Sequence, residues 1–359
     1  MGETVFITGA TGMLGQALLP KLCAQATVEK VLVLGHRNPP GFSHSKMEVV
    51  PGDVSYAGMG LQSGSMRAIT TIIHSAALTS FSSALETARQ VNVTGTENML
   101  RLALDCPRLR AICHLSTMFV AGRRTGTIYE DELTHDCGFV NAYEQSKYEA
   151  EQLLGSAQRL PISTVRLSAI FGDSREGGIG RLGSIHHALR FIFHSLAPFV
   201  PGTPASPVDL IPLDYAAESV TALAFPQFTP GATWHVCGGA DALPLEEMLE
   251  LTLQLFYRYR PAWRKRAIEK PAIVDLETFE LFVKSVEEVG ESALKDSVAL
   301  FKHFAPQLAY PKRFNDAATL KVLEREGIIR PQVREYFPKV VRFLLENNWQ
   351  ATARMQATA

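Results

Sequence analysis

Net charge is almost absent from this chain. Its 35 Lys and Arg stand against 36 Asp and Glu, a formal charge of −1. No basic footprint for a nucleic acid is expected from that balance. Cysteine is sparse. The five residues Cys23, Cys106, Cys113, Cys137 and Cys237 are scattered and odd in number, and no pair has metal-ligand spacing. Neither a disulfide framework nor a metal site is expected. No apolar run approaches the ~18 to 20 residues that span a bilayer. Internal repeats and low-complexity tracts are lacking too. The sequence enters an apolar strand-like run almost at once, so no signal peptide is expected, and a reducing cytoplasmic setting is the default. What is there is ordinary globular composition: 359 residues, 46% hydrophobic and 20% charged. That is enough for one large domain or two modest ones.

The stretch Thr8-Gly9-Ala10-Thr11-Gly12-Met13-Leu14-Gly15 directly follows Val5-Phe6-Ile7. A strand that ends in a glycine-rich turn and restarts as a helix makes a pyrophosphate cradle. Gly9 would permit the tight turn, Gly12 would let the backbone approach phosphates, and Gly15 would let the helix pack close to the sheet. The N–H groups at the start of that helix would face the anion.

Strand-like and helix-like segments alternate through the first half, the pattern of a doubly wound α/β fold with a parallel sheet. Strands are expected at residues 5–8, 31–34, 48–50, 71–74, 111–116 and 162–167. Helices are expected at 13–26, 92–106 and 142–155. The stretch 172–183 is rich in glycine and charge and reads as a loop near the site. Further on, helices are expected at 185–196 and 245–256, and strands at 208–211 and 233–236. From about residue 272 the chain reads as mainly helical. The expected division is a Rossmann domain over residues 1–240, with substrate-domain segments at about 172–215, and a mainly helical substrate or cap region over 241–359. Phe279, Phe282, Val283, Val286, Leu300, Phe301 and Phe304 recur at helical spacing. Helix-on-helix packing is the simpler reading of that stripe, and the lining of an apolar pocket the other.

Tyr143 and Lys147 lie four apart at the start of an expected helix, on one face. A phenol titrating near ~10 is a poor acid at neutral pH, and a nearby ammonium would bring it toward the working range. Thr117 closes the expected strand Leu115-Ser116-Thr117, at the carboxyl end where ligands of parallel sheets bind. Its hydroxyl could support a developing oxyanion. Ser116, facing the other way, is the alternative.

Taken together, these motifs resemble the extended short-chain dehydrogenase/reductases over roughly residues 3–240. The matching features are the glycine turn, Asp53, His74-Ser75-Ala76-Ala77, Asn92-Val93-Thr94-Gly95-Thr96, Ser116-Thr117, and Tyr143 with Lys147. Within that family, His74 to Phe81, Leu115 to Gly122, Gly138 to Glu151 and Val165 to Ser174 are similar to fatty acyl-CoA reductases and thioester reductase domains. Leu167 departs from that subgroup, which usually carries proline there. The resemblance implies a Rossmann fold, a smaller substrate domain and a catalytic set of Thr117, Tyr143 and Lys147. It implies a cofactor site at Gly9, Thr11, Gly12, Met13, Leu14, Gly15, Arg37, Asp53, Val54, Ala76, Ala77, Asn92, Tyr143, Lys147, Leu167, Ser168 and Ile170.

No acid stands at the end of the second strand, where one would bond the 2′-hydroxyl of NAD. Arg37 stands there instead and could pair with a 2′-phosphate, so NADP(H) is the expected cofactor. Asp53 would bond adenine or simply close its turn. His186, His187 and His194 have no partner acids at ligand spacing, and no metal is expected. Tyr257, Arg258, Tyr259, Arg260, Trp263, Arg264, Lys265 and Arg266 form a basic–aromatic run. It reads as a solvated connector, or as a dock for an acidic carrier protein, CoA phosphates or a peripheral membrane surface. Asp209 and Asp214 are expected to fix the strand-to-helix turn. The expected activity is NADPH-dependent reduction of an acyl thioester, on CoA or a carrier protein, to aldehyde and then to alcohol if a second hydride follows. The alternatives are a carbonyl or hydroxysteroid-type dehydrogenase, a sugar-nucleotide enzyme, and an NADP-sensing regulator.

Overall fold

The computed structural model describes residues 2–36, 39–61, 66–262 and 270–351. Seven strands form one parallel sheet: β1 (Glu3–Thr8), β2 (Val28–Gly35), β3 (Met47–Pro51), β4 (Thr71–His74), β5 (Ala111–Thr117), then Ile162–Leu167 and Thr233–Val236. In space the order is β3-β2-β1-β4-β5 followed by the sixth and seventh strands. The winding reverses between β1 and β4, and a crevice opens at such a switch point beyond the strands' carboxyl ends. The doubly wound α/β expectation holds.

Alternation along each strand divides the side chains between two faces. Val5 and Ile7 enter one core with Leu18, Leu22 and Tyr215. Phe6 enters the other with Ile72, Met99 and Leu154. The first core is covered by the helices Met13–Ala24 and Leu213–Ala224, the second by Thr94–Leu104 and Ala142–Ser156.

A third core contains no residue of the sheet. Phe171, Phe256, Phe279, Phe301 and Phe337 meet there. Its helices are Ser184–Phe193, Leu245–Tyr259, Leu276–Val289, Ser292–Phe301 and Val333–Glu346. The tail is mainly helical but contains short strands. Ala272–Val274 runs parallel to Phe199–Pro201, and Lys312–Phe314 parallel to Gly126–Ile128. The helix Ala317–Glu324 then returns to the sheet, where Leu323 joins the first core.

The expected strand at 208–211 is interrupted. Pro207–Val208 and Leu210–Ile211 pair with different partners, and the Asp209 carboxylate between them accepts from the backbone N–H groups of Gly238 (2.6 Å) and Gly239 (2.9 Å). Asp209 therefore ties this segment to the turn after the seventh strand. Asp214 instead accepts from the Ser174 backbone and hydroxyl, at 3.0 and 2.5 Å, holding the loop after Phe171.

Beside the sheet's sixth strand lies a buried ion pair. The Arg166 guanidinium meets Glu151 through Nε (3.1 Å to each oxygen) and Nη2 (2.8 Å), with side chains 3% and 4% exposed. Ser116 donates to the same carboxylate at 2.5 Å. Removing one partner strands a charge without solvent, which costs about 3–5 kcal/mol. Arg166→Met is therefore expected to lower unfolding stability by about 3 kcal/mol in urea titration. A change under about 1 kcal/mol would mean the pair contributes as little as a surface one.

Candidate active site

The glycine turn is built as its residues require. Gly9 has φ +71°, and a Cβ there would sit 2.5 Å from the Ala76 amide nitrogen. A Cβ on Gly15 would overlap the Gly9 carbonyl oxygen and Ala10 Cα, so only glycine lets the helix approach the strand this closely. Gly12 caps the helix without a side-chain bond, and the first turn carries no acid. The N–H groups of Met13 and Leu14 therefore meet no competing negative charge. A cradle that tolerates no Cβ, ahead of an uncapped helix start, fits a pyrophosphate. Thr11 is exposed at the tip, with its carbonyl accepting from Gln16 Nε2 at 3.0 Å.

Thr8 locks the turn to the neighbouring strand. Its hydroxyl takes the Ala76 N–H (3.1 Å) and meets His74 Nδ1 (3.0 Å). Ala76 thus lies directly across from Gly9, with Ala77 next in the chain. Asp53 closes its own turn by accepting from the Ser55 backbone and hydroxyl, both at 2.8 Å, and also pairs with His36 Nδ1 at 2.8 Å. Val54 is buried, and its carbonyl accepts from Asn98 Nδ2 at 2.9 Å. Arg37 lies outside the described residues, as do Trp263, Arg264, Lys265 and Arg266 of the basic–aromatic run. Within that run, Arg260 bonds the Leu345 carbonyl and so docks on the last helix.

Asn92 stands behind the site. Its oxygen accepts from the Leu78 N–H (2.8 Å), and its amide nitrogen donates to the Leu78 carbonyl (3.1 Å) and the Ser146 hydroxyl (2.9 Å). It ties the Ser75–Leu78 loop to the Tyr143 helix.

Strand alternation separates Ser116 from Thr117. Ser116 turns to Glu151, while the Thr117 hydroxyl accepts from the Phe119 N–H (3.2 Å) and bonds Tyr143. The Tyr143 helix starts at Asn141, whose side chain accepts from the Glu144 N–H at 3.1 Å, an N-cap bond. One turn on, Lys147 Nζ donates to the Leu115 carbonyl (2.9 Å) and meets His114 Nε2 (3.3 Å). The structure brings Thr117 and Tyr143 into contact and sets Lys147 beneath them. Leu167, Ser168 and Ile170 line the next strand end, where Leu167 is in register with Thr117 and the Ser168 hydroxyl donates to the Asp209 carbonyl at 2.8 Å.

One electrostatic expectation is reversed. Lys147 was expected to draw the phenol down, but burial pushes Tyr143 up to about 12, against a smaller downward pull from the Thr117 hydrogen bond. Burial also lowers Lys147 to about 8, with Glu151 opposing. Tyr143 is therefore a protonated donor across the neutral range. His74 and His114 stack at 5.5 Å beside Lys147. Burial keeps both neutral, with His74 at about 3 and His114 well below its usual range.

An apolar cavity of about 140 Å³ reaches Phe81, Phe119 and Asn141, the neighbours of Tyr143 and Thr117. Phe81 forms part of its wall and meets the Tyr143 ring edge-on at 5.5 Å. Phe119 and Asn141, neighbours of Thr117 and Tyr143, line the same end, and Leu189, Ile192 and Leu249 line the rest. Both readings of the aromatic stripe apply: Phe279 and Phe301 are buried in the third core with Val283 and Phe304 packed against it, and Phe301 and Phe304 also line the cavity. Most of that wall comes from residues far apart in sequence, and only Phe301 and Phe304 of it belong to the stripe. His186 is buried at the start of its helix. Its Nδ1 accepts from the Gly183 N–H (2.8 Å) and its ring stacks on Phe171 (5.0 Å).

The family model described as male sterility protein matches residues 36–220, about half the chain. The chain belongs to this NAD-binding family. It thereby belongs to the extended short-chain dehydrogenase/reductases. Among curated relatives, it is 31% identical over 236 residues to the hybrid PKS-NRPS synthetase pydA of Acremonium sp, covering 61% of this chain and 5% of that protein. It is 26% identical over 235 residues to the fatty acyl-CoA reductase wat of Drosophila melanogaster, covering 51% of this chain and 46% of that one. The chain thus spans less than half the length of either relative. The terminal R domain of the myxalamid PKS-NRPS pathway superposes with a TM-score of 0.78 at 24% identity, covering 97% of this chain and 92% of that one. The R domain of a nonribosomal peptide synthetase from Mycobacterium tuberculosis gives 0.68 at 20%, covering 98% and 93%. No helix among the described residues is long and apolar enough to cross a membrane.

Proposed function

We propose that this protein uses NADPH to reduce an acyl thioester, carried on CoA or on the phosphopantetheine of a carrier protein, to an aldehyde. The observation that carries the reading is the apolar cavity beside Tyr143. A sugar nucleotide would leave its hydroxyls unpaired against Leu189, Ile192 and Leu249, whereas an acyl chain gains by burial there. The relatives named as a fatty acyl-CoA reductase and as R domains of PKS-NRPS and nonribosomal peptide synthetase systems support the same reading.

The glycine turn and the Met13 helix would hold the pyrophosphate, and Lys147 the ribose. NADPH so bound supplies a hydride. Thr117 and Tyr143 donate hydrogen bonds to the thioester oxygen as charge develops on it. Tyr143 gives its proton to that oxygen. Return of the hydroxyl proton to the phenolate lets the carbon–sulfur bond break, leaving aldehyde and a thiolate, which takes its proton from solvent water to become the free thiol. The Lys147 ammonium stabilises the phenolate between those two transfers. On this reading residues 1–240 carry the cofactor and 241–359 help enclose the acyl chain.

Because Lys147 titrates at about 8, its charge is present below that pH and lost above it. The rate is expected to fall about tenfold per pH unit above that point, a limb absent in Lys147→Met. A profile flat to pH 10 would remove Lys147 from this role. The reading itself is tested by assaying free thiol from a series of acyl-CoA and acyl-pantetheine substrates with NADPH. Oxidation of NADPH by ketones or sugars without thiol release would favour the carbonyl-reductase alternative.

A further inference from the structure

One buried carboxylate beside the site has no part in the steps above. Glu144 follows Tyr143 and is fully buried. Among the described residues, every hydrogen-bond partner of its oxygens is a donor. Oε2 accepts from the Val140 N–H (2.9 Å), and Oε1 accepts from Asn141 Nδ2 (3.0 Å) and from Gln307 Nε2. Gln307 in turn accepts from Lys312 Nζ at 2.8 Å, and Lys312 also donates to the Gly122 carbonyl at 2.6 Å. Asn141 completes the ring by donating to the His303 carbonyl at 3.2 Å.

The arrangement grips both sides of the reacting pair. Asn141 and Glu144 form the first turn under Tyr143. Gly122 ends the turn that follows Thr117, in a left-handed conformation (φ +56°). The gripping residues, His303, Gln307 and Lys312, all come from the tail, more than 80 residues beyond the family match at 36–220. Asn141, Gln307 and Lys312 also line the cavity, so the clamp forms its polar corner.

We propose that Glu144, Gln307 and Lys312 are positioning residues that hold Tyr143 against Thr117, and that the grip requires Glu144 as a carboxylate. This rests on the thioester-reductase reading only for its activity readout. A carboxylate is acceptor-only and matches three donors, whereas a protonated carboxyl presents a hydrogen to one of them. The charged groups facing Glu144 are Lys312 from the tail and, on its own helix, Tyr143 once ionised. Arg124 stands behind Lys312. Burial holds Glu144 above the ordinary carboxylate range, while Lys312 and the Gln307 bond pull it back down. Protonation as pH falls through that raised value therefore loosens the grip, and removing Lys312 or Gln307 must move the loosening to higher pH.

The test is the acid limb of kcat in wild type, Lys312→Met, Gln307→Met, Lys312→Arg and Glu144→Gln. The limb is expected to rise by about one pH unit in Lys312→Met and to shift the same way in Gln307→Met. At the wild-type midpoint, that unit corresponds to a loss of about fivefold in kcat, approaching about tenfold well below it. Lys312→Arg should restore the limb, and Glu144→Gln should abolish it. If Lys312→Met does not fold, Gln307→Met decides alone. Glu144 titration is followed separately by carbon-13 NMR of carboxyl-labelled glutamate, assigned with Glu144→Gln, which needs no turnover. Wild type that titrates as described but reduces no thioester would defeat the function and leave the linked pair standing. Turnover whose acid limb ignores Lys312 and Gln307, with only thermal stability changed, would reduce the clamp to a structural tie and overturn the proposal.

Discussion

Tyr143→Phe is expected to lower kcat for thiol release about a thousandfold, within the ~10²–10⁴ range of a positioned general acid. The substitution removes one oxygen and leaves the ring against Phe81. Thr117 keeps its bond from the Phe119 N–H and so stays oriented. NADPH affinity should change by less than about fivefold, the worth of roughly one hydrogen bond. That contrast separates proton donation from cofactor binding. Because burial keeps the phenol protonated to about 12, the wild-type rate should show no limb from Tyr143 itself below that pH. A loss of kcat under tenfold would mean that another group donates the proton. Persistence of a cellular activity in Tyr143→Phe, with NADPH still bound, would favour a sensor.

The glycine turn should yield the second large effect, and its two glycines should fail differently. Gly15→Ala places a methyl where the Gly9 carbonyl and Ala10 Cα already lie. These are backbone atoms and have no rotamer to give. The strand–helix packing must open, and both stability and NADPH binding should collapse, with affinity falling more than about a hundredfold (2.7 kcal/mol or more). Gly12→Ala meets only the Gly9 carbonyl oxygen, at 3.2 Å, and the fold should accept it. Its methyl would instead stand where a pyrophosphate oxygen must approach, so affinity should drop about tenfold or more, at least 1.4 kcal/mol, with little change in thermal midpoint. Fluorescence titration with NADPH and a melting curve read both quantities. If Gly12→Ala bound NADPH as wild type does, the phosphate would not sit at this turn.

Local pattern carried much of this architecture. The strands Thr71–His74, Ile162–Leu167 and Thr233–Val236 fall where they are expected, because each is short and built mainly of β-branched, aromatic and apolar residues even though it also carries a buried His or Arg. Gly9 and Gly15 were legible because each is demanded by its own backbone. Tyr143 and Lys147 were legible because a helix brings positions four apart together. Other features depend on distant partners. The strand Lys312–Phe314 has three residues, too few for a period, and its partner at Gly126–Ile128 lies far away in the chain. Asp209 interrupts its strand because Gly238 and Gly239 supply the N–H groups it accepts. The direction of the Tyr143 shift was misread for a related reason: charge proximity is visible as spacing, whereas desolvation is set by the whole fold. Gln307 and Lys312 had no motif of their own, and a buried carboxylate at Glu144 was the one hint that partners must exist somewhere in the chain.

The central claim is that a carbonyl carbon bonded to sulfur is reduced at Tyr143. The direct measurement supplies NADPH carrying deuterium at the transferred position, together with an acyl thioester, and follows the label by mass spectrometry alongside free thiol. The account requires deuterium at C1 of the released aldehyde, one atom per thiol, or two if reduction continues to the alcohol. It also requires loss of both signals in Tyr143→Phe. Thioester recovered unlabelled with no thiol freed, while a ketone or sugar substrate takes up the label, would contradict it.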